Sequence, residues 1–207
     1  MFNEQDLQEL SDEVAARLSE KRFLHTKGVE EEIARLGRIY LPGKITELRA
    51  AALLHDLAKE KPIEEQIAIC RENCDPELDS AVKSPAILHG HAAAYLIPDS
   101  YPEFNLPEII SAIYKHTTGA EEMSIFDKLL FLADFIEPNR EWNRCRETRK
   151  AFWDAMPRDP AARIRHLDLT VLSVLEFTVS YLYERGIVPD PATERAANAL
   201  RQTYPNQ

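Results

Sequence analysis

Basic residues are the minority charge in this chain of 207 residues: 25 Lys and Arg stand against 35 Asp and Glu, for a net charge of −10. That balance repels polyanions at long range, so broad affinity for DNA, RNA or anionic membrane is not expected, and any anionic ligand needs a local cluster of cations. No run of about eighteen apolar residues is present. The opening residues, Met1-Phe2-Asn3-Glu4-Gln5-Asp6, are acidic where a secretion signal is basic and then apolar. A cytoplasmic protein without nucleic-acid or membrane partners is therefore expected. Cysteines are few and odd in number, namely Cys70, Cys74 and Cys145, and no second thiol or histidine pair stands near Cys70 and Cys74 to complete a zinc knuckle. All three are expected as reduced thiols. Also missing is any stretch of two-residue alternation enriched in β-branched residues, which leaves no candidate strand.

What is present is helical periodicity. Apolar residues make up 44% and charged residues 29%, the proportions of a soluble globular chain long enough to bury a sizeable core. Leu and Ala recur every three or four residues, so an all-α protein is expected. Proline and glycine punctuation divides it into helices near 4–18, 20–40, 46–58, 63–73, 84–97, 107–116, 124–136, 145–155, 161–185 and 191–203. Ser84 before Pro85 reads as a helix cap, and Ser124 with Asp127 as a capping box. The run Met156-Pro157-Arg158-Asp159-Pro160 marks the one boundary, giving a main domain over 1–157 and a helical extension over 158–207 packed on it.

Two segments place ionisable residues where an apolar one is wanted. Ala51-Ala52-Leu53-Leu54-His55-Asp56-Leu57-Ala58 carries a histidine and an aspartate inside an apolar helix, and Leu129-Leu130-Phe131-Leu132-Ala133-Asp134-Phe135-Ile136 carries one carboxylate. Burying a lone carboxylate costs several kcal/mol, so each requires a cation, a metal or strong donors. A salt bridge or a helix-cap bond would satisfy either one alone. In chain order, however, there stand His25, His55-Asp56, His89, His116 and Asp134, each on or at the end of a different helix. Histidine and carboxylate without thiolate suit iron, manganese, zinc or a related divalent ion.

That order, with its flanking residues, resembles a known family. Arg22-Phe23-Leu24-His25-Thr26, Leu54-His55-Asp56-Leu57-Ala58-Lys59, Ile87-Leu88-His89-Gly90, Lys115-His116-Thr117-Thr118-Gly119 and Ala133-Asp134-Phe135-Ile136-Glu137-Pro138-Asn139-Arg140 are similar to segments of the bacterial HD-type symmetrical bis(5′-nucleosyl)-tetraphosphatases, over about residues 5–155. The resemblance implies an all-helical HD-domain bundle that binds iron or a similar ion, cleaves diadenosine tetraphosphate and releases ADP as its only product. Carried over by position, His25, His55, Asp56 and Asp134 would hold the metal. His89 and His116 would either complete a second metal site with Asp56 bridging, or bind substrate phosphate directly, so one or two ions are implied. Asp56, His89 and His116 would then be the catalytic groups, with attack by metal-bound water.

Helical spacing sets Arg22 beside His25, and Lys59 beside His55 and Asp56, as cations for phosphate. Thr117, Thr118 and Gly119 form a turn that either holds phosphate or simply ends a helix, and the resemblance implies that Arg140 meets the nucleotide. His91 departs from the family's small residue or proline and would point about 200° around the helix from His89, away from any ligand role. After Arg140 the family tends to read Phe-Pro-Gly-Val where this chain has Trp142-Asn143-Arg144-Cys145, a loop expected to alter nucleotide preference or a dimer contact. His166 lies outside the matched region and reads as structural or exposed. Rival readings are a phosphohydrolase of deoxynucleotides, nucleoside diphosphates or a guanosine alarmone, and a non-catalytic nucleotide sensor. A homodimer through the segment Leu167–Tyr183, apolar on more than one face, is expected equally with burial inside the chain.

Overall fold

The computed structural model describes residues 2–205. In that span eleven α-helices follow one another, with no strand among the described residues. They are α1 (Glu4–Arg17), α2 (Glu20–Tyr40), α3 (Ile45–Leu54), α4 (Ile63–Glu72), α5 (Leu78–Ala81), α6 (Leu88–Ser100), α7 (Pro107–Lys115), α8 (Ile125–Ile136), α9 (Asn143–Asp154), α10 (Pro160–Glu184) and α11 (Pro191–Thr203). The all-α expectation holds. No helix is long and apolar enough to cross a membrane among the described residues.

Local chemistry sets most of the ends. Ser124 and Asp127 form the expected capping box, and Asn3 with Asp6 forms another. Asp159 and Asp190 cap α10 and α11, each followed by proline at the first helical position. The expected cap at Ser84 does not form. Pro85–Ile87 makes a 3₁₀ turn, and the Ser84 hydroxyl reaches the Val188 carbonyl at 3.4 Å instead. α6 also continues through Pro98 to Ser100, where the ring's fixed φ suits a helix and only one backbone bond is lost.

The largest correction falls on α3. It stops at Leu54 rather than near residue 58, and His55 to Glu60 form tight turns. His55 Nδ1 donates to the Ala52 carbonyl at 2.6 Å, the acceptor that the Asp56 N–H would use in a continuing helix. The backbone tightens accordingly to Leu57 N–H to Leu54 carbonyl at 3.1 Å and Lys59 N–H to Asp56 carbonyl at 2.9 Å.

α3 is the hub. Leu48, Ala50, Ala51, Ala52, Leu53 and Leu54 have no solvent exposure, and the helix packs against α1, α2, α7 and α8. Each buried Leu contributes about 1.5–3 kcal/mol through removal from water. Consecutive alanines here and at Ala92–Ala94 of α6 let the backbones approach closely. Along α10, Leu167, Val171, Val174 and Leu175 join the same core cluster, and α10 packs on α8, α9 and α11. Burial inside the chain therefore accounts for the first half of the apolar segment Leu167–Tyr183, whereas Tyr183 stands 52% exposed.

Candidate metal centre

Six side chains meet at the hub. His25 comes from α2, His55 and Asp56 from the turn after α3, His89 from the first turn of α6, His116 from the cap of α7, and Asp134 from α8. Three rings are fixed the same way: Nδ1 of His55, His89 and His116 donates to the carbonyl three residues earlier, at 2.6, 2.8 and 2.6 Å. His25 differs, since its Nδ1 lies 3.2 Å from the buried carboxylate of Glu137. With Nδ1 so engaged, every ring turns its Nε2 inward, the atom a metal would take.

The inward atoms are close together. His25 Nε2 lies 3.0 Å from Asp134 Oδ1 and 3.6 Å from Asp56 Oδ2, and His55 Nε2 lies 3.5 Å from Asp56 Oδ2. On the other side, His89 Nε2 is 3.2 Å from Asp56 Oδ1 and 3.1 Å from His116 Nε2. Asp56 thus gives one oxygen to each half. His25 Nε2 and His55 Nε2 are buried without a hydrogen-bond partner. Inward lone pairs and carboxylate oxygens packed at such spacing are the donor set of a divalent cation, and two groups can hold one: His25, His55 and Asp134, and His55, Asp56 and His116. The residues fit a metal.

Three cations line the rim. Arg22 Nη1 donates to Asp56 Oδ2 at 2.8 Å, and Arg140 Nη2 to Asp134 Oδ1 at 2.6 Å. Both guanidiniums remain about one-third exposed, open to a phosphate. Lys59 stays close enough to Asp56 to feel its charge, but in a turn rather than on a helical face, because α3 has already ended. Its Nζ lies over the His89 ring, 3.3 Å from Nδ1.

The Thr117–Gly119 turn is a helix cap. The Gly119 N–H is taken by the Lys115 carbonyl at 2.8 Å, its φ is +67°, and a side chain there would press on Leu175 and Ala196. The Thr118 hydroxyl bonds the Gly119 carbonyl and lines a cavity shared with His91 and Asp190. Neither Thr118 nor Gly119 reaches the centre, which corrects their expected part in phosphate binding, while the Thr117 hydroxyl is buried and unpaired. His91 faces away from the six: its Nδ1 lies 2.8 Å from Asp75 and its ring stacks on Tyr114. His166 Nε2 donates to the Phe152 carbonyl. The three cysteines are free, Cys70 and Cys145 buried and Cys74 exposed.

One functional residue was missed by sequence reasoning. Glu137 is 1% exposed; besides His25 it accepts the Asn139 N–H at 2.6 Å, and Arg149 donates to its backbone carbonyl. A carboxylate that follows an apolar helix and precedes a proline reads as a helix end, and its partner lies 112 residues away.

The HD-domain family model matches residues 22–139, which span all six inward side chains. This chain belongs to the HD-domain family. Within it the chain groups with the symmetrical bis(5′-nucleosyl)-tetraphosphatases. The relative of that name from Staphylococcus aureus is 32% identical over 173 residues, 83% of this chain and 82% of the relative. The one from Bacillus subtilis is 34% identical over 139 residues, 66% and 72% of the two chains. A crystal structure of a predicted HD superfamily hydrolase involved in NAD metabolism, from Clostridium acetobutylicum, is 29% identical. It superposes with a TM-score of 0.83, covering 98% of this chain and 99% of that one.

Burial and neighbouring charges polarise the HD site. Burial would raise Asp134 and Asp56, but Arg140 and His25 hold the first, and His55 and His89 the second, well below the ordinary carboxylate range. Burial pushes His89 and His91 below the ordinary 6.5, and His116 down to about 3. As pH falls below 6.5 the unfolded chain therefore binds more protons than the folded one at these sites, and stability is lost on the acid side. His25 goes the other way. Burial opposes its charge, yet the Asp134 and Glu137 carboxylates on either side of the ring outweigh burial and raise it from 6.5 to about 9. Its contribution is complete below pH 6.5 and disappears as pH rises toward 9. The metal-free protein is thus expected to melt highest near pH 6.5, with a fall on either side. A melting temperature that climbs steadily from pH 6.5 to 9 would contradict the proton placed on His25.

Proposed function

We propose that this HD-domain hydrolase cleaves diadenosine tetraphosphate symmetrically into two ADP. The observation that carries the reading is the Asp56 carboxylate divided between two sets of inward histidines, with Arg22, Arg140 and Lys59 on the rim. The named activity of the relatives supplies the substrate class. His25, His55, Asp56 and Asp134 would hold iron, manganese or zinc, with His89 and His116 available to a second ion. When bound, such an ion supplies Lewis acidity toward phosphoryl oxygens and makes a coordinated water more acidic.

The chain's own groups do the rest. The tetraphosphate carries about four negative charges, and Arg22, Arg140 and Lys59 neutralise them locally on a protein whose overall charge repels them. Arg22 and Arg140 each keep one contact to a ligand carboxylate, so a phosphate they bind is fixed in register with Asp56 and Asp134. His89 and His116, both neutral near pH 7 through burial and with Nδ1–H given to backbone carbonyls, present Nε2 lone pairs that would hold a second ion.

The test is product analysis. Protein loaded in parallel with ferrous iron, manganese or zinc should release ADP alone from diadenosine tetraphosphate. Release of ATP with AMP would overturn symmetrical cleavage. Turnover confined to deoxynucleotides, nucleoside diphosphates or a guanosine alarmone would move the substrate while leaving the centre in place.

A further inference from the structure

Outward from Asp134 the centre continues into an aromatic face. Phe135 follows Asp134 on α8, and its ring lies edge-on to Trp142 at 6.4 Å. The Trp142 indole then meets Phe177 at 5.2 Å and Tyr181 at 5.1 Å, both on α10. Guanidiniums flank these rings, Arg144 over Phe177 at 4.8 Å and Arg185 over Tyr181 at 4.5 Å. Trp142 is 44% exposed. The other indole, Trp153, is tied to Glu32 at 2.6 Å and covered by Arg35 at 3.5 Å.

Two further observations direct this face toward a nucleotide. Trp142 lies two residues past Arg140, a span of at most about 7 Å of extended chain, and Arg140 itself holds Asp134. The indole is therefore within one nucleotide's length of the phosphate-binding rim. In addition, Arg140 Nε and Arg144 Nε, on either side of Trp142 in the chain, are both shut off from solvent without an acceptor. Planar π-surfaces interleaved with guanidiniums suit a ligand that joins a flat, uncharged ring system to an anion.

We propose that Trp142, backed by Phe177 and Tyr181, is the stacking surface for a purine base of the nucleotide whose phosphates lie at Arg140. The inference rests on the nucleotide reading above and adds to it the place of one base. Stacking uses the face of the ring, so adenine and guanine are both accepted there. Arg144, over the Phe177 ring, supplies positive charge beside the platform.

The experiment compares metal-loaded wild type, Trp142→Ala and Trp142→Phe on three probes: diadenosine tetraphosphate, ADP, and inorganic triphosphate, which has no base. Trp142→Ala is expected to raise KM for the dinucleotide and weaken ADP binding by roughly five- to a hundred-fold. Its kcat should stay unchanged, the pattern of lost uniform binding. Trp142→Phe should recover most of the loss, and inhibition by inorganic triphosphate should be the same in all three proteins. In a Trp153→Phe background, where Trp142 is the remaining indole, ADP should quench the fluorescence and inorganic triphosphate should not.

Equal ADP affinity in wild type and Trp142→Ala would overturn the proposal. So would a change of sedimenting mass in Trp142→Ala with ADP affinity intact, which would make the face a contact between two copies of the chain. A wild type that turns over the dinucleotide while the variant is indistinguishable sinks the platform alone. A wild type that binds neither ADP nor dinucleotide sinks the nucleotide reading, and the platform with it.

Discussion

Asp56→Asn is expected to abolish measurable turnover and to strip the centre of tightly held metal. The amide keeps the shape but removes the negative charge that His25, His55 and His89 face and that Arg22 holds at 2.8 Å. It also puts an N–H₂ group where one half of the site needs an oxygen. Loss of several kcal/mol of charge stabilisation corresponds to about a thousand-fold or more in rate, at roughly 1.4 kcal/mol per factor of ten. Metal content after dialysis, measured beside turnover, checks both parts. A variant that retained its metal and half its rate would show that Asp56 is a bystander and that the centre lies with Asp134. Asp56→Ala should be as inactive, and should also leave Arg22 without its buried partner.

The second large effect is expected from Gly28→Ala, at a residue that touches neither metal nor substrate. A methyl group there would collide with Glu137 Oε2 and lie 2.7 Å from Asn139 Nδ2. Helix α2 and the loop 137–139 must then part, and His25 loses the carboxylate that fixes its ring. Overpacking of this kind costs about 1–3 kcal/mol, and loss of the partner behind a metal-binding histidine costs about 10- to 100-fold in metal affinity. Competition with a chelator and a thermal melt separate these effects. Glu137→Gln, which keeps the volume, should lower metal affinity with little loss of melting temperature. If Gly28→Ala melts lower yet holds metal as tightly as wild type, Glu137 does not position His25.

Much of this arrangement is written in one-dimensional terms. Ionisable residues interrupting apolar helices pointed to Asp56 and Asp134, because only a ligand or a partner compensates a buried carboxylate. The capping box at Ser124 was legible because both partners lie within four residues. What stayed hidden depends on contacts across the chain or between side chain and backbone. The end of α3 follows from an imidazole taking the Ala52 carbonyl, an event no apolar pattern records. Ser84 failed as a cap because Pro85–Ile87 winds as a 3₁₀ turn in which the Ser84 backbone carbonyl, not its hydroxyl, takes the Ile87 N–H. Thr118 and Gly119 looked like phosphate binders because hydroxyls and glycine serve equally well to end a helix, and only the packing of Gly119 under α10 and α11 decides between the two.

The four imidazoles are held by Nδ1 bonds to the backbone and to Glu137, and this bears on how the protein is obtained. A scaffold so rigid gains nothing by rearranging around one divalent ion in preference to another of similar radius. Selection then falls to supply, in the order set by intrinsic affinity and concentration. Batches grown in iron-rich, manganese-rich and zinc-rich culture medium are expected to emerge from purification as different metalloforms of one unchanged fold.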